Sequence, residues 1–185
     1  KETSDGLELS TTDLRVVVDR DSGAVAFLRP DGEVITREKT GSPVEVKEVT
    51  ISDAPTYDVT QRFTLKPDES IYGLGQYNEP YMDYRGKEVL MVQTNIGIVI
   101  PFLISTERYG ILWDACSKSV FKDGEEGTSI WAESSPAGAD YYFMSGEDMD
   151  GVIANYRELT GVAPMYRKKA FGLFMSKERY QTQDE

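Results

Sequence analysis

The sequence predicts an antiparallel β-sandwich followed by a single helix, on three observations. Short strand-like segments alternate with turn residues from residue 14 onward. From residue 109 the segments are short, aromatic-rich and each bounded by turn residues. At Gly146 the apolar period changes from that of a strand to that of a helix.

The elements follow in order. LRVVVDR (14–20) is β-branched and runs into the turn DSG; AVAFLRP (24–30) alternates and stops at Pro30; DGE turns the chain into VITRE (34–38). This strand–turn rhythm is that of hairpins. VEVKEVTI (44–51) alternates, with Val44, Val46 and Val49 expected inward and Glu45 and Lys47 outward. Its phase breaks at Glu48–Val49, which predicts a bulge. YDVTQRFTL (57–65) places Tyr57, Val59, Gln61, Phe63 and Leu65 on one buried face, with Asp58, Thr60, Arg62 and Thr64 toward water. The run YGLGQYNEPYMDYRGKEVLMVQTNIGIVIPFLIS (72–105) is too irregular for one helix and too specific in composition for a linker. YGILWDA (109–115), SVFKDG (119–124), TSIWAES (128–134) and ADYYFMSG (139–146) complete the sandwich. Residues 147–160 then carry Met149, Val152, Ile153, Tyr156 and Leu159 on a helical period, with acids at the start and Gly161 at the end. Pro164 marks a boundary. The apolar run from Ala170 to Met175 reads as a strand buried on both faces, like the opening strand of a parallel barrel or else a last strand of the sandwich.

Composition narrows the function. The chain has 185 residues, enough for one domain with a proper core. Twenty basic against 32 acidic residues give a net charge of −12, which repels nucleic acid and tolerates neutral ligands such as sugars. No apolar run approaches the roughly 20 residues of a membrane helix. Histidine is absent, which removes Ser-His-Asp and Cys-His catalysis and histidine metal sites. No clustered Asp/Asn loop with calcium spacing stands out, and no cofactor is expected. Cys116 is the single cysteine; its apolar setting, ILWDAC, predicts a buried thiol. The compartment stays open, with the periplasm or the exterior favoured over the cytoplasm.

Candidate chemistry concentrates in residues 72–105. Glu79, Asp83, Asp114 and Asp140 lie near aromatics, but acids beside turns are usually solvated, so a self-contained catalytic pair is not expected. YGLG lacks the GK[ST] of a phosphate loop, and its glycines suit tight backbone turns. Gln76, Asn78 and Glu79, with Gln93, Thr94 and Asn95, carry the amides, hydroxyl and carboxylate that read sugar hydroxyls. Tyr77, Tyr81 and Tyr84 could stack on sugar faces or pack in the sandwich.

The order YGLGQ, RGK, VQTN, IPFLIS, YGILWD, then ADYYFMSG, ANYRELTG and FGLFMSKERY, resembles the N-terminal domain of glycoside hydrolase family thirty-one over residues 63–185. The runs LMVQTN and IPFLIS look most like the α-xylosidase branch, with α-glucosidases next. The resemblance implies a galactose-mutarotase-like supersandwich at residues 1–163. Residues 164–185 would then be the link and first strand of a (β/α)8 catalytic barrel, with the chain cut before the rest. It implies a retaining α-glycosidase whose nucleophile and acid/base carboxyls lie in that barrel, so no catalytic residue is carried over to this chain. By position, Gln93, Thr94 and Asn95 match a loop that helps shape the sugar subsites; glucosidase-type members often have an acid there. The implied partners are an oligosaccharide with α-linked xylose or glucose and the chain's own barrel. Self-association through the apolar run from Phe171 to Met175, or its packing back on the sandwich, is expected where that barrel is missing. A free-standing carbohydrate-binding module is the alternative.

Overall fold

Every strand pair is antiparallel in the described residues, 1–4, 6–174 and 179–184 of a computed structural model. The strands are β1 (Gly6–Ser10), β2 (Arg15–Asp19), β3 (Val25–Leu28), β4 (Val34–Glu38), β5 (Val44–Ile51), β6 (Ala54–Thr64) and β7 (Ile71–Gln76). After them come β8 (Glu88–Met91), β9 (Ile98–Ser105), β10 (Tyr109–Trp113), β11 (Ser119–Gly124), β12 (Gly127–Ala132), β13 (Tyr141–Ser145) and the helix α1 (Met149–Thr160). One sheet runs β1-β2-β3-β4-β6-β12-β11-β8, with β5 also paired to β6; the other runs β13-β10-β9-β7.

The two sheets bury one core between them. Ile35, Phe63, Val89, Phe121 and Ile130 from the large sheet meet Ile71, Leu74, Leu103, Tyr109, Ile111 and Trp113 from the small one. Alternation along β9 shows why: Leu103 faces this core, while Phe102 and Ile104 face the other way. On that outer face α1 supplies Val152, Met149 and Tyr156, and Tyr156 stacks on Phe102 with ring centroids 4.3 Å apart. Asp148 caps the helix by accepting the Gly151 N–H at 2.8 Å, two residues later than the expected start. The expected apolar stripe is narrower in the structure, because Ile153 and Leu159 stay exposed beyond the sheet edge that α1 covers.

Two buried carboxylates tie the layers. Glu38 on β4 accepts the Val25 N–H at 2.9 Å and the Tyr141 hydroxyl of the opposite sheet at 2.6 Å. Glu69, 2% exposed, accepts the Lys66 N–H at 2.8 Å, the Ser105 hydroxyl at 2.6 Å and the Tyr109 hydroxyl at 2.5 Å. Burial pushes the phenols of Tyr109 and Tyr141 well above their usual range, and the adjoining carboxylates add to the shift.

Several expectations are corrected. β5 pairs with β6 in unbroken register from Val44↔Gln61 to Ile51↔Ala54, so there is no bulge at Glu48–Val49. Val44 and Val46 are exposed, because β5 lies at an edge, paired with β6 alone, outside the core between the sheets. Tyr57 likewise lies outside that core and is exposed, while Val59, Gln61 and Phe63 are buried as expected. Cys116 is exposed: it falls in the loop after β10, past the last buried residue of that strand, Trp113. The segment expected as a doubly buried strand forms a short 3₁₀ turn at Lys168–Phe171 instead. Phe171, Leu173 and Phe174 are 71%, 89% and 75% exposed, so they do not pack back on the sandwich. Met175 lies outside the described residues.

Candidate functional site

The strand registers gather four loops at one end of the sandwich. β7 ends beside the start of β9, with Gln76 opposite Ile98, and β8 ends beside the start of β11, with Met91 opposite Ser119. The connections after β7, β8, β10 and β12 therefore share that end. They carry Asn78, Glu79, Met82, Gln93, Thr94, Asn95, Ile96, Asp114, Cys116 and Asp140, all exposed.

The first loop leaves a deformed strand. Gly73, Leu74 and Gly75 have φ of 100°, 61° and 123°, and the β7–β9 register shifts between Gly73 and Gly75. A Cβ on Gly75 would lie 1.9 Å from the Ile98 carbonyl oxygen, so only glycine lets β7 approach β9 this closely. Leu74 holds a left-handed backbone because its side chain, 1% exposed, is locked in the core. YGLG is thus a bulge, in keeping with its reading as turn chemistry.

The loop 92–97 is short and tied to itself. The Thr94 N–H donates to the Gly97 carbonyl at 3.2 Å, and the Gln93 side-chain oxygen accepts the Val99 N–H at 3.2 Å. Gly97 is buried against the ring of Tyr77. The Asn95 side chain and the Thr94 hydroxyl make no hydrogen bond among the described residues, and Ile96 at the tip is 80% exposed. Of the three residues predicted to read sugar, Gln93 therefore spends its oxygen on the loop, while Thr94 and Asn95 have theirs available to a ligand.

The tyrosines divide. Tyr84 is 6% exposed and belongs to the core. Tyr81 meets it edge-on at 5.9 Å and lies under the Lys87 ammonium, 4.9 Å from the ring centroid. Tyr77 is half-buried and donates its hydroxyl to the Leu74 carbonyl at 2.9 Å; burial, with a smaller effect of Tyr84, leaves the phenol pushed up to about 12. Packing claims much of each ring.

The candidate acids do not converge on a catalytic pair. Asp83 accepts the Ile71 N–H at 3.1 Å and the Arg85 N–H at 3.0 Å, which fixes the chain along the β7 edge. Burial acts to raise its pKa, but hydrogen bonds from Ser70, Arg85 and Ile71 outweigh it and leave the carboxyl below its usual range. Asp114 and Asp140 are joined through their backbones at 3.0 Å, with exposed side chains. A cleft of about 820 Å³ lies at the opposite end, beside Arg85 and Asp123. Of the cations that line it, Lys39 and Arg85, Arg85 is spent internally: it donates to the carbonyls of Lys66 and Glu69 and to Asp123. That interaction was not read from the sequence, although RGK marks its place. Among the described residues no three potential metal ligands cluster, and no helix is long and apolar enough to cross a membrane.

Comparison with known proteins places this architecture. Residues 1–121 match the family model of the glycosyl hydrolase 31 N-terminal galactose mutarotase-like domain. An α-xylosidase of Saccharolobus solfataricus is 37% identical over an alignment of 168 residues that covers 84% of this chain and 23% of that protein. The α-xylosidase A of Aspergillus niger is 30% identical over 66% of this chain and 17% of its own length. Among solved structures, a GH31 α-xylosidase from a soil metagenome, complexed with xylose, superposes over all of this chain and 30% of its own with a TM-score of 0.85 at 26% identity. This chain thus spans less than a third of each of these proteins. The motif order, the sandwich and these matches agree: the chain belongs to the glycosyl hydrolase 31 N-terminal galactose mutarotase-like domain family.

Proposed function

We propose that the chain is the non-catalytic N-terminal domain of a retaining α-glycosidase that removes terminal α-linked xylose, with α-linked glucose the next substrate. In this reading residues 1–163 form the supporting sandwich, and residues 164–185 lead into a (β/α)8 barrel that carries the nucleophile and the acid/base. The loop with Gln93, Thr94 and Asn95 then borders the sugar pocket. The observation that carries the reading is the state of that loop: Asn95 and the Thr94 hydroxyl project from a self-tied turn with no hydrogen-bond partner among the described residues. Such groups suit paired hydrogen bonds to sugar hydroxyls. α-Xylosidases among the relatives support xylose over glucose.

The test is Asn95→Ala in the full-length gene product, with kcat/KM measured for aryl α-xyloside and aryl α-glucoside. The ratio is expected to change by about fivefold or more, the worth of one hydrogen bond to a sugar hydroxyl. An unchanged ratio removes the loop from specificity.

A further inference from the structure

We propose that Tyr77 is the positioning residue of the sugar-facing loop, joining the bulge of β7 to the turn that presents Thr94 and Asn95. The inference rests on the reading that this loop borders the sugar.

Tyr77 touches both partners at once. Its hydroxyl donates to the carbonyl of Leu74, the residue whose left-handed backbone and buried side chain anchor the bulge. Its ring lies against Gly97: a Cβ built there would sit 3.6 Å from Cδ1 and 3.8 Å from Cε1 of the ring. The same Cβ would sit 3.0 Å from the Thr94 Oγ1, so Gly97 is held between the tyrosine and the loop's own threonine. The other ties of the loop, Thr94 N–H to Gly97 and Val99 N–H to Gln93, close the turn on itself, and the pairing of Ile98 and Val99 with β7 fixes only its C-terminal side. The Tyr77 ring supplies a second reference. It draws it from the most constrained backbone in the chain's centre, where Gly75 has no room to shift against Ile98. A rigid shelf under a short turn is what a hydrogen-bonding loop needs, because small displacements of a polar group forfeit much of its contact.

Two readouts separate this inference from the reading beneath it. The first is hydrogen exchange, followed by mass spectrometry of peptides spanning residues 92–99 in the full-length protein. Tyr77→Ala is expected to speed exchange of the Thr94 and Val99 amides about tenfold or more while β10 peptides are unchanged, a local opening. Tyr77→Phe keeps the ring and is expected to preserve most of that protection. The second is steady-state kinetics on aryl α-xyloside: Tyr77→Ala should raise KM about tenfold with kcat within about twofold, the pattern of lost uniform binding. Wild-type exchange in Tyr77→Ala overturns the inference whatever the kinetics. Faster exchange with unchanged KM, alongside a silent Asn95→Ala, shows that the tyrosine holds a loop that does not meet the sugar, and overturns both. A silent Tyr77→Ala beside an active Asn95→Ala overturns the positioning role and leaves the loop reading standing.

Discussion

Removing one oxygen from the centre of the sandwich, by Tyr109→Phe, should cost a measurable and pH-dependent part of its stability. Glu69 accepts three donors, from Lys66, Ser105 and Tyr109. The phenylalanine ring keeps the stack on Phe143, whose centroid is 5.5 Å away, so packing is nearly unchanged. What goes is one hydrogen bond to a carboxylate with almost no access to water, about 1.5–3 kcal/mol. For a domain of this size that corresponds to about 3–12 °C in Tm. Burial and the Glu69 charge raise the phenol in the folded state above its unfolded value near 10. Below that pH both states keep the proton, and the stabilisation is fully present. Above it the unfolded chain loses the proton while the folded chain keeps it, so stability falls by up to about 1.4 kcal/mol per pH unit until the folded pKa is passed. The variant lacks this loss. The gap between wild type and Tyr109→Phe should therefore narrow as pH rises from 10 to 11. Urea unfolding at pH 7, 9, 10 and 11, followed by fluorescence of Trp113 and Trp131, measures it. A gap under about 0.5 kcal/mol at pH 7, well below a buried charged hydrogen bond, refutes the argument. So does a gap that stays constant across the alkaline range.

Gly75→Ala should destabilise the chain by about 3–5 kcal/mol, since the new methyl meets the Ile98 carbonyl and the backbone itself must move. Gly86→Ala is its control: φ is positive there too, 67° against 123° at Gly75, but nothing lies within 4 Å, and about 1 kcal/mol is expected. Equal costs would show that backbone angle alone, not the close approach of β7 and β9, explains the glycine. The thiol of Cys116 should react with dithionitrobenzoate in the native chain at the rate of a free exposed cysteine; a reaction that waits for urea would contradict its placement after β10.

The sequence foretold most of the fold because its signals were local. The turns at DSG and DGE, the alternation of 57–65 and the helical period after Asp148 each depend on a few neighbouring residues, and each has its counterpart in the structure. What it concealed depends on tertiary context. Val44 and Val46 alternate like core residues, yet face water because β5 is an edge strand outside the core between the sheets. The run 72–105 hides β7, β8 and β9 because the bulge at Leu74 and two loops break every period. β1 escaped notice because GLELS is short and only half covered. At the candidate site the amides were legible as residue types. Which of them is free was not, since the bond from Val99 to Gln93 exists only once the loop has closed.

The acids supply the remaining argument about where chemistry can reside. A chain with 32 carboxylates invites a catalytic pair, but the well-positioned ones are already committed. Glu38 and Glu69 are 6% and 2% exposed, with hydrogen-bond donors on both oxygens, so neither can reach a glycosidic bond. Asp83 holds two backbone N–H groups. Burial acts to raise Asp123, yet Thr128, the Gly86 N–H and Arg85 hold it below its usual range; a general acid needs the opposite shift. The acids at the loop end, Glu79, Asp114 and Asp140, are exposed and do not converge on a pair. Groups fixed in place hold the sandwich together, while the polar groups that the 92–97 loop leaves free, the Asn95 amide and the Thr94 hydroxyl, can bind but cannot transfer a proton at neutral pH. That division favours the proposal made above, in which this domain binds and supports and the bond-breaking carboxyls lie in the proposed barrel.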